Sequence, residues 1–420
     1  MRTTQCVRAG WLIGALGACM LVAGAARADV TTERPGSILI FPKVVANGTR
    51  DTVIQITNTG NVADQARCFY INGAKGRTGV AQCNETDFLI SLTKQQPTSW
   101  VVSAGRNPTG IGGLGPGLVP PVPAGFTGAL VCAEVDASLA PVAMNQLKGD
   151  ATLKGSAGNP IDLSKYSGIA LIGNTSGNNG DNDLSLDDSE YNACPAASRV
   201  NFVAPGAADP IVFGLGNAGL CINDSSSACT TNTDCTTAGS YCARYMCAGG
   251  TNNGGACASN SDCPGGSCGP PLASVTTTVT VLPCNLDLNA QIPTTTTVQV
   301  KAWDATEQLF TTSFPVTCWG SFDISASPGP GPAVNSVGTE LGTLELYGGG
   351  GGPFLAVVET LHSDSIFNSA SAATNTHVEP QVCVGSGAPT VNGRPCTNNS
   401  DCSSGGTCPL PTAVIRLPGA

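Results

Sequence analysis

The stretch TVIQITNTGNVADQARCFYIN, running from Thr52 to Asn72, decides the fold class. Ile54 and Ile56 bracket the polar Gln55, the alternation of a half-buried strand. Asn58-Thr59-Gly60-Asn61 supplies residues that turn a chain sharply, and Ala66 to Asn72 returns as a second strand. The same pattern repeats outward. Ser37 to Val45 (SILIFPKVV) is an apolar strand interrupted by Pro42, and Asn47-Gly48 follows as a turn signal. Proline gives no N–H to a ladder, so Pro42 predicts an edge position or a switch between sheets. Phe88, Ile90 and Leu92 recur at every second position, with Asp87 and Ser91 among their neighbours. Thr98 to Ser103, Gly128 to Val135 and Ile169 to Gly173 add further strands, around a long Gly/Pro loop from Gly105 to Gly125. Short strands at this spacing predict an antiparallel β-sandwich over 29–175.

The region 194–420 repeats the pattern. Ser274 to Leu282 (SVTTTVTVL) and Thr294 to Trp303 (TTTTVQVKAW) are strong strand signals. Phe202 to Phe213, Leu309 to Phe314, Val316 to Phe322 and Thr412 to Leu417 read as further extended chain. Thr343 to Tyr347 and Phe354 to Thr360 read as a hairpin whose tip is the five glycines Gly348 to Gly352. Between the two regions, 176–193 is an acidic loop.

A cysteine phrase interrupts the second region three times. It reads CTTNTDCTTAGSYC at 229–242, CASNSDCPGGSC at 257–268 and CTNNSDCSSGGTC at 396–408, each preceded by one more cysteine. The groups are Cys221, Cys229, Cys235, Cys242; Cys247, Cys257, Cys263, Cys268; and Cys383, Cys396, Cys402, Cys408. They define modules at 221–268 and 383–408. The residues between are Asn, Ser, Thr and Gly, so a module has almost nothing apolar to bury and needs covalent staples. Each disulfide supplies roughly 2–4 kcal/mol. Structural zinc favours closer pairs than most of these, and the groups hold no His. Asp234, Asp262 and Asp401, each before a third cysteine, are expected to accept hydrogen bonds from the turn backbone. Six more cysteines, Cys68, Cys83, Cys132, Cys194, Cys284 and Cys318, are expected to staple the scaffold. Cys68 and Cys83 span a hairpin-sized gap and make the expected first pair; the other pairings cannot be read from one sequence.

The N-terminus reads as an export signal. Arg2 and Arg8 precede an apolar run from Ala9 to Ala26, and Ala26-Arg27-Ala28 is a cleavage site, giving a signal peptide at 1–28. The alternative is a lipoprotein acylated at Cys19, from the lipobox-like Leu16-Gly17-Ala18-Cys19. Removing Cys6 and Cys19 with the signal leaves eighteen of the 20 cysteines, an even number suited to an oxidising compartment. No later stretch is apolar enough to span a membrane. The expected location is secreted, cell-surface or periplasmic. The formal net charge is −10, with three Arg and no acid in the first 28 residues, which argues against nucleic acid as a partner.

Candidate ligating residues are few. The stretch GNTSGNNGDNDLSLDDSEYN (173–192) gathers Asp181, Asp183, Asp187, Asp188 and Glu190, an oxygen-rich set suited to Ca²⁺ although it lacks EF-hand spacing. A solvated acidic loop is the alternative. His362 with Asp364 (HSD) and His377 with Glu379 (HVE) are a second candidate metal set, surface histidines being the simpler account. No cofactor other than Ca²⁺ is expected. The sequence has no Gly-rich phosphate loop and no H-E-x-x-H. A dispersed carboxylate pair would allow hydrolysis, but aromatic content of 5% argues against a sugar-lined cleft. A non-enzyme is expected.

The 52–72 stretch resembles paired strands of bacterial immunoglobulin-like domains. The cysteine phrase is similar to tandem C-x5-C repeats of secreted bacterial proteins, and loosely to Dickkopf-type cysteine-rich modules. The whole chain resembles a secreted bacterial β-rich family that brings no catalytic residues to carry over. The expected fold is mainly β, with two immunoglobulin-like or related antiparallel β-sandwich regions and three small disulfide-rich modules inserted in loops. The expected function is a structural or adhesive scaffold binding an extracellular protein or glycan, with a Ca²⁺-dependent module and a secreted hydrolase as alternatives.

Overall fold

The computed structural model describes residues 30–77, 79–107, 116–155, 163–203, 219–221, 224–229, 234, 236, 242–243, 245–252, 256–257, 260–269, 275–304, 307, 309–324, 341–362, 369–372, 383–385, 396, 399–402, 406–408 and 412–419. The signal peptide of the sequence reading lies outside them. The first half contributes β1 (Ile38–Ala46), β2 (Arg50–Asn58), β3 (Asp64–Asn72), β4 (Glu85–Leu92), β5 (Pro97–Val101), β6 (Phe126–Val135), β7 (Leu147–Gly155), β8 (Leu163–Ser167) and β9 (Ile169–Leu171). Their hydrogen-bonded order is β4-β3-β6-β1-β2-β7-β8, with β9 added to β1 and β5 to β2. β1 and β2 share one pair, Ala46 opposite Asp51, and the sheet folds over there into two layers. Leu39, Ile54, Tyr70, Phe88, Trp100 and Leu153 close one core between them. At its centre the Trp100 Nε1–H donates to the Tyr70 hydroxyl at 2.6 Å. β2 and β3 therefore lie in opposite layers and do not pair with each other, although they are neighbours in sequence.

β1 is buried along its whole length because both of its faces are covered. Leu39 and Phe41 enter the sandwich core, and Ile38 and Ile40 enter a second cluster on the outside. Pro42 falls between the pairing of β1 with β9, which ends at Ile40, and its pairing with β2 at Ala46, in keeping with a switch between layers. It sits in a bulge of this central strand, where the register against β6 shifts between Phe41 and Val44 and no N–H is required. β7 and β8 were not expected from the sequence. Lys148, Asp150 and Lys154 on the outer face of β7 obscure the buried series Leu147, Ala151 and Leu153.

β10 (Asp183–Ser185) lies within the acidic stretch, and β11 (Ala197–Val203) follows. The first two cysteine modules contribute β12 (Gly219–Cys221), β13 (Asp224–Cys229), β14 (Cys242–Ala243), β15 (Tyr245–Gly249), β16 (Ala256–Cys257) and β17 (Gly266–Gly269). The three copies share a framework. The first and fourth cysteines face each other across antiparallel chain: Cys221 opposite Cys242, Cys247 opposite Cys268, and Cys383 beside Cys408 through the Val384–Thr407 bridge. Single 3₁₀ turns at Asn260–Asp262 and Asn399–Asp401 end on the Asp before the third cysteine. The N–H groups of Cys263 and Cys402 donate to the carbonyls of Asn260 and Asn399, both at 3.1 Å. The third module is closed by Cys383–Cys402 and Cys396–Cys408, first to third and second to fourth. The shared spacing predicts the same order in the other modules. Partial reduction with differential alkylation is expected to recover the same order in all three; adjacent pairs, first to second, would break the equivalence.

The second sandwich uses β11 with β18 (Val275–Pro283), β20 (Thr295–Asp304), β21 (Leu309–Thr317), β22 (Gly320–Asp323), β23 (Leu341–Gly348), β24 (Phe354–His362) and β25 (Ser369–Ala372); the two-residue β19 (Leu286–Asp287) leaves it. One layer runs β11-β23-β20-β21 and the other β22-β18-β24-β25, around Val200, Val281, Val300, Phe314, Leu344 and Ala356. β23 and β24 are therefore not a hairpin. Gly348–Gly352 carries the chain from one layer to the other, with Gly350 and Gly351 at φ 68° and 82°, which only glycine adopts without strain. The last strand, β26 (Val414–Arg416), joins β10 and β19 in a three-stranded sheet. Leu184, Leu286 and Ile415 of that sheet pack on the outer face of β1, β3 and β6.

β24 is the wall common to both halves. Phe354, Ala356 and Val358 face its own sandwich, while Leu355 and Val357 enter the clusters of the first. Two disulfides reinforce the framework around this wall, Cys83–Cys318 and Cys194–Cys284. The expected Cys68–Cys83 pair does not form. Cys68 points into the first core and bonds Cys132, directly opposite on β6, whereas Cys83 belongs to the outer cluster.

Candidate functional site

Where the halves meet, the chain leaves a cleft of about 530 Å³. One wall is the loop from Gly73 to Gln82, which closes on itself through the Lys75–Ala81 bridge and through N–H donation from Gly76 to the Val80 carbonyl at 2.8 Å. The other wall is the open edge of the second sandwich, from Phe314 to Phe322. There, among the described residues, β21 ends one layer and β22 ends the other. Phe314 and Phe322 meet edge to face with centroids 4.6 Å apart. Trp319 joins the walls. Its Nε1–H donates at 2.8 Å to the carbonyl of Pro42, which the β1 bulge turns toward it. Gly73 packs flat on the indole; a Cβ there would lie 2.4 Å from the ring. Beneath lies the Cys83–Cys318 disulfide. Both half-cystines have positive φ, 55° and 50°, in the region non-glycine residues rarely enter. Strained backbone of this kind persists only where its surroundings over-determine it.

The cleft lining is chiefly apolar, with Val80 exposed at its rim. Lys75 is the one charged residue among those lining it. Such a site can hold an apolar group and direct an attached anion toward Lys75.

Behind the cleft a buried charge cluster fixes the halves. Glu359, the outward residue of β24 after Val357, has no solvent exposure. Its Oε2 lies 2.7 Å from Lys43 Nζ and accepts from Arg50 Nη1 at 2.9 Å, and its Oε1 accepts from Arg50 Nη2 at 2.8 Å. The Ser164 hydroxyl also donates to Oε1. Burial raises the Glu359 pKa, but Lys43 and Arg50 more than reverse this and hold it at about 2.

A second pair of buried acids, Asp64 and Glu134, occupies the first sandwich. Glu134 accepts N–H bonds from Met144, Asn145 and Gln146 at 2.8, 2.8 and 2.6 Å, pinning that loop. Asp64 is buried beside Glu134. Burial first, then the Glu134 charge, push its pKa up to about 8, so it is protonated near neutrality. The folded chain thus keeps a proton that an unfolded aspartate releases near pH 3.8, and stability declines as pH rises from about 4 to about 8. Asp64→Asn is expected to flatten this decline in melting curves taken across that window. An unchanged slope would place the titration elsewhere.

The structure gives the acids of the 181–190 stretch local work. Asp181 Oδ1 accepts the Asp183 N–H at 2.8 Å, and Asp183 pairs with Arg416 at 3.4 Å. Asp187 accepts from the Ser189 N–H at 3.0 Å and Asp188 from the Ala193 N–H at 2.7 Å. Glu190, buried, accepts from the Ser185 N–H at 2.8 Å. Among the described residues no three of these acids bring carboxylate oxygens within 4.8 Å of one another. The stretch is also less polar than it reads, since Leu184, Leu186 and Tyr191 are buried. His362 ends β24, with its backbone opposite Val275. Asp364, His377 and Glu379 lie outside the described residues. The one sulfur-rich cluster among the described residues, Cys383, Cys396 and Cys402, belongs to the two disulfides of the third module. Among the described residues, no helix is long and apolar enough to cross a membrane.

No protein-family model matches the chain, and comparison with curated proteins gives no match. Among solved structures it is similar to Thermotoga maritima 1070, at 9% identity and a TM-score of 0.21, over 33% of this chain and 95% of that one. It is also similar to a viral chemokine binding protein encoded by rodent gammaherpesvirus Peru, at 7% identity and a TM-score of 0.17, over 82% of this chain and 86% of that one. Likeness this remote carries no argument about function.

Proposed function

We propose that this chain is an exported, non-catalytic binding scaffold that presents the junction cleft to an extracellular partner. The observation that carries the reading is the cleft itself: an apolar site at the open edge of a sandwich, held by a disulfide between the halves. Apolar concave sites with few polar groups are where ligands bind. The disulfide-rich framework and the leader expected at 1–28 fit an oxidising compartment. Immobilised protein challenged with extracellular matrix proteins and glycans is expected to retain one class of them, and Val80→Asp at the cleft rim is expected to abolish retention. Retention unaffected by this substitution, or none at all, would sink the reading.

A further inference from the structure

The edge of β21 borders the cleft and bears on what the cleft binds. Among the described residues β21 pairs with β20 on one side only and ends its layer. It is nine residues long, LFTTSFPVT, without a charged side chain. Sheet edges are normally blunted by charge, as β4 is by Glu85 and Asp87, β8 by Lys165 and β11 by Arg199. β21 carries no such charge; its Pro315, which lines the cleft, lacks one N–H, so pairing there falls to the other residues of the strand. Phe314 and Val316 turn inward there, while Thr311, Ser313 and Pro315 stay exposed. The opposite wall is positive. Lys75 and Arg77 sit on the stretch from Gly73 to Gln82, which has no acid, in a chain of net charge −10.

Resting on the proposed binding role, we infer that the occupant is an extended segment of a partner polypeptide that adds a strand to β21. One apolar side chain of the segment enters between Phe314, Phe322 and Trp319, and an acidic residue beside it meets Lys75. Strand addition draws affinity from main-chain hydrogen bonds and specificity from the pocket that receives alternate side chains. The positive wall in an acidic protein selects against cationic segments by charge complementarity.

The test is fluorescence anisotropy with the full mature chain and labelled ten-residue peptides alternating Thr with Val or Phe. One peptide ends in two Glu, one in two Lys, and one is the Glu peptide N-methylated at alternate residues. Laurate serves as a competitor without a peptide backbone. The Glu peptide is expected to bind best, and Lys75→Glu to reverse its order with the Lys peptide, each changing about three- to tenfold, as exposed charge pairs allow. N-methylation is expected to remove binding. Equal binding of the N-methylated peptide would overturn strand addition. Binding of laurate, lost in Val80→Asp, with no peptide bound, would also overturn it while leaving the binding role intact. Failure of laurate and every peptide would remove both.

Discussion

Glu359→Gln is expected to destabilise the folded chain by about 3–5 kcal/mol, because it leaves two buried cations without their counter-charge. Glu359 is fully buried, and the side chains of Lys43 and Arg50 are 7% and 15% exposed. Both cations are thus largely withdrawn from water. A urea titration should show the loss as a lower midpoint with an unchanged slope. The pH dependence gives a second signature. The folded carboxyl is held at about 2, below its ordinary 4.5. Its stabilisation is therefore complete above about pH 4.5 and fades as the pH falls toward about 2. The wild type should lose stability over that window, and the Gln variant should lose much less. A Gln variant with wild-type stability would mean the cluster is not the clamp described.

The second large effect is expected from opening the Cys83–Cys318 link. The bond closes a sequence separation of 235 residues. Releasing a loop of that size costs about 5.5 kcal/mol in the chain-entropy model, less where other disulfides already restrain it. The Cys83→Ser/Cys318→Ser pair should still fold, because both hydrophobic cores are complete without it, but ligand retention should fall as the cleft walls separate. Replacing both cysteines by Gly supplies a control. Each occupies left-handed backbone, and Cys318 is the centre of a tight turn in which the Trp319 N–H donates to Thr317 at 2.6 Å. The glycine pair should therefore be about 1–3 kcal/mol more stable than the serine pair, as relief of such strain predicts. Equal stability of the two would remove strain from the account.

Local signals in the sequence carried the fold class. The alternation of Ile54 with Ile56 and the runs that became β18 and β20 are strands in the structure. Pairing was less legible, since a strand's partner is not a local property. β2 with β3 and β23 with β24 adjoin in sequence, yet each pair divides between layers. The Cys83–Cys318 bond was hidden for the same reason, whereas the cysteine phrase repeated often enough to reveal its modules. Glu359 could have been found. In FLAVVETLH both alternating sets begin apolar, which marks a strand covered on both faces and an acid that must be paired. The cleft could not. Lys75 and Val80 are ordinary loop residues until the fold sets them against Phe314 and Trp319, more than two hundred residues away.

The central claim is that a covalent tie holds the two sandwiches together around the cleft. Proteolysis of the unreduced mature protein, followed by mass spectrometry, tests it most directly. The account predicts one linked species that joins the peptide containing Cys83 to the peptide containing Cys318 and separates on reduction. Cys83 found with Cys68, or as a free thiol, would contradict it.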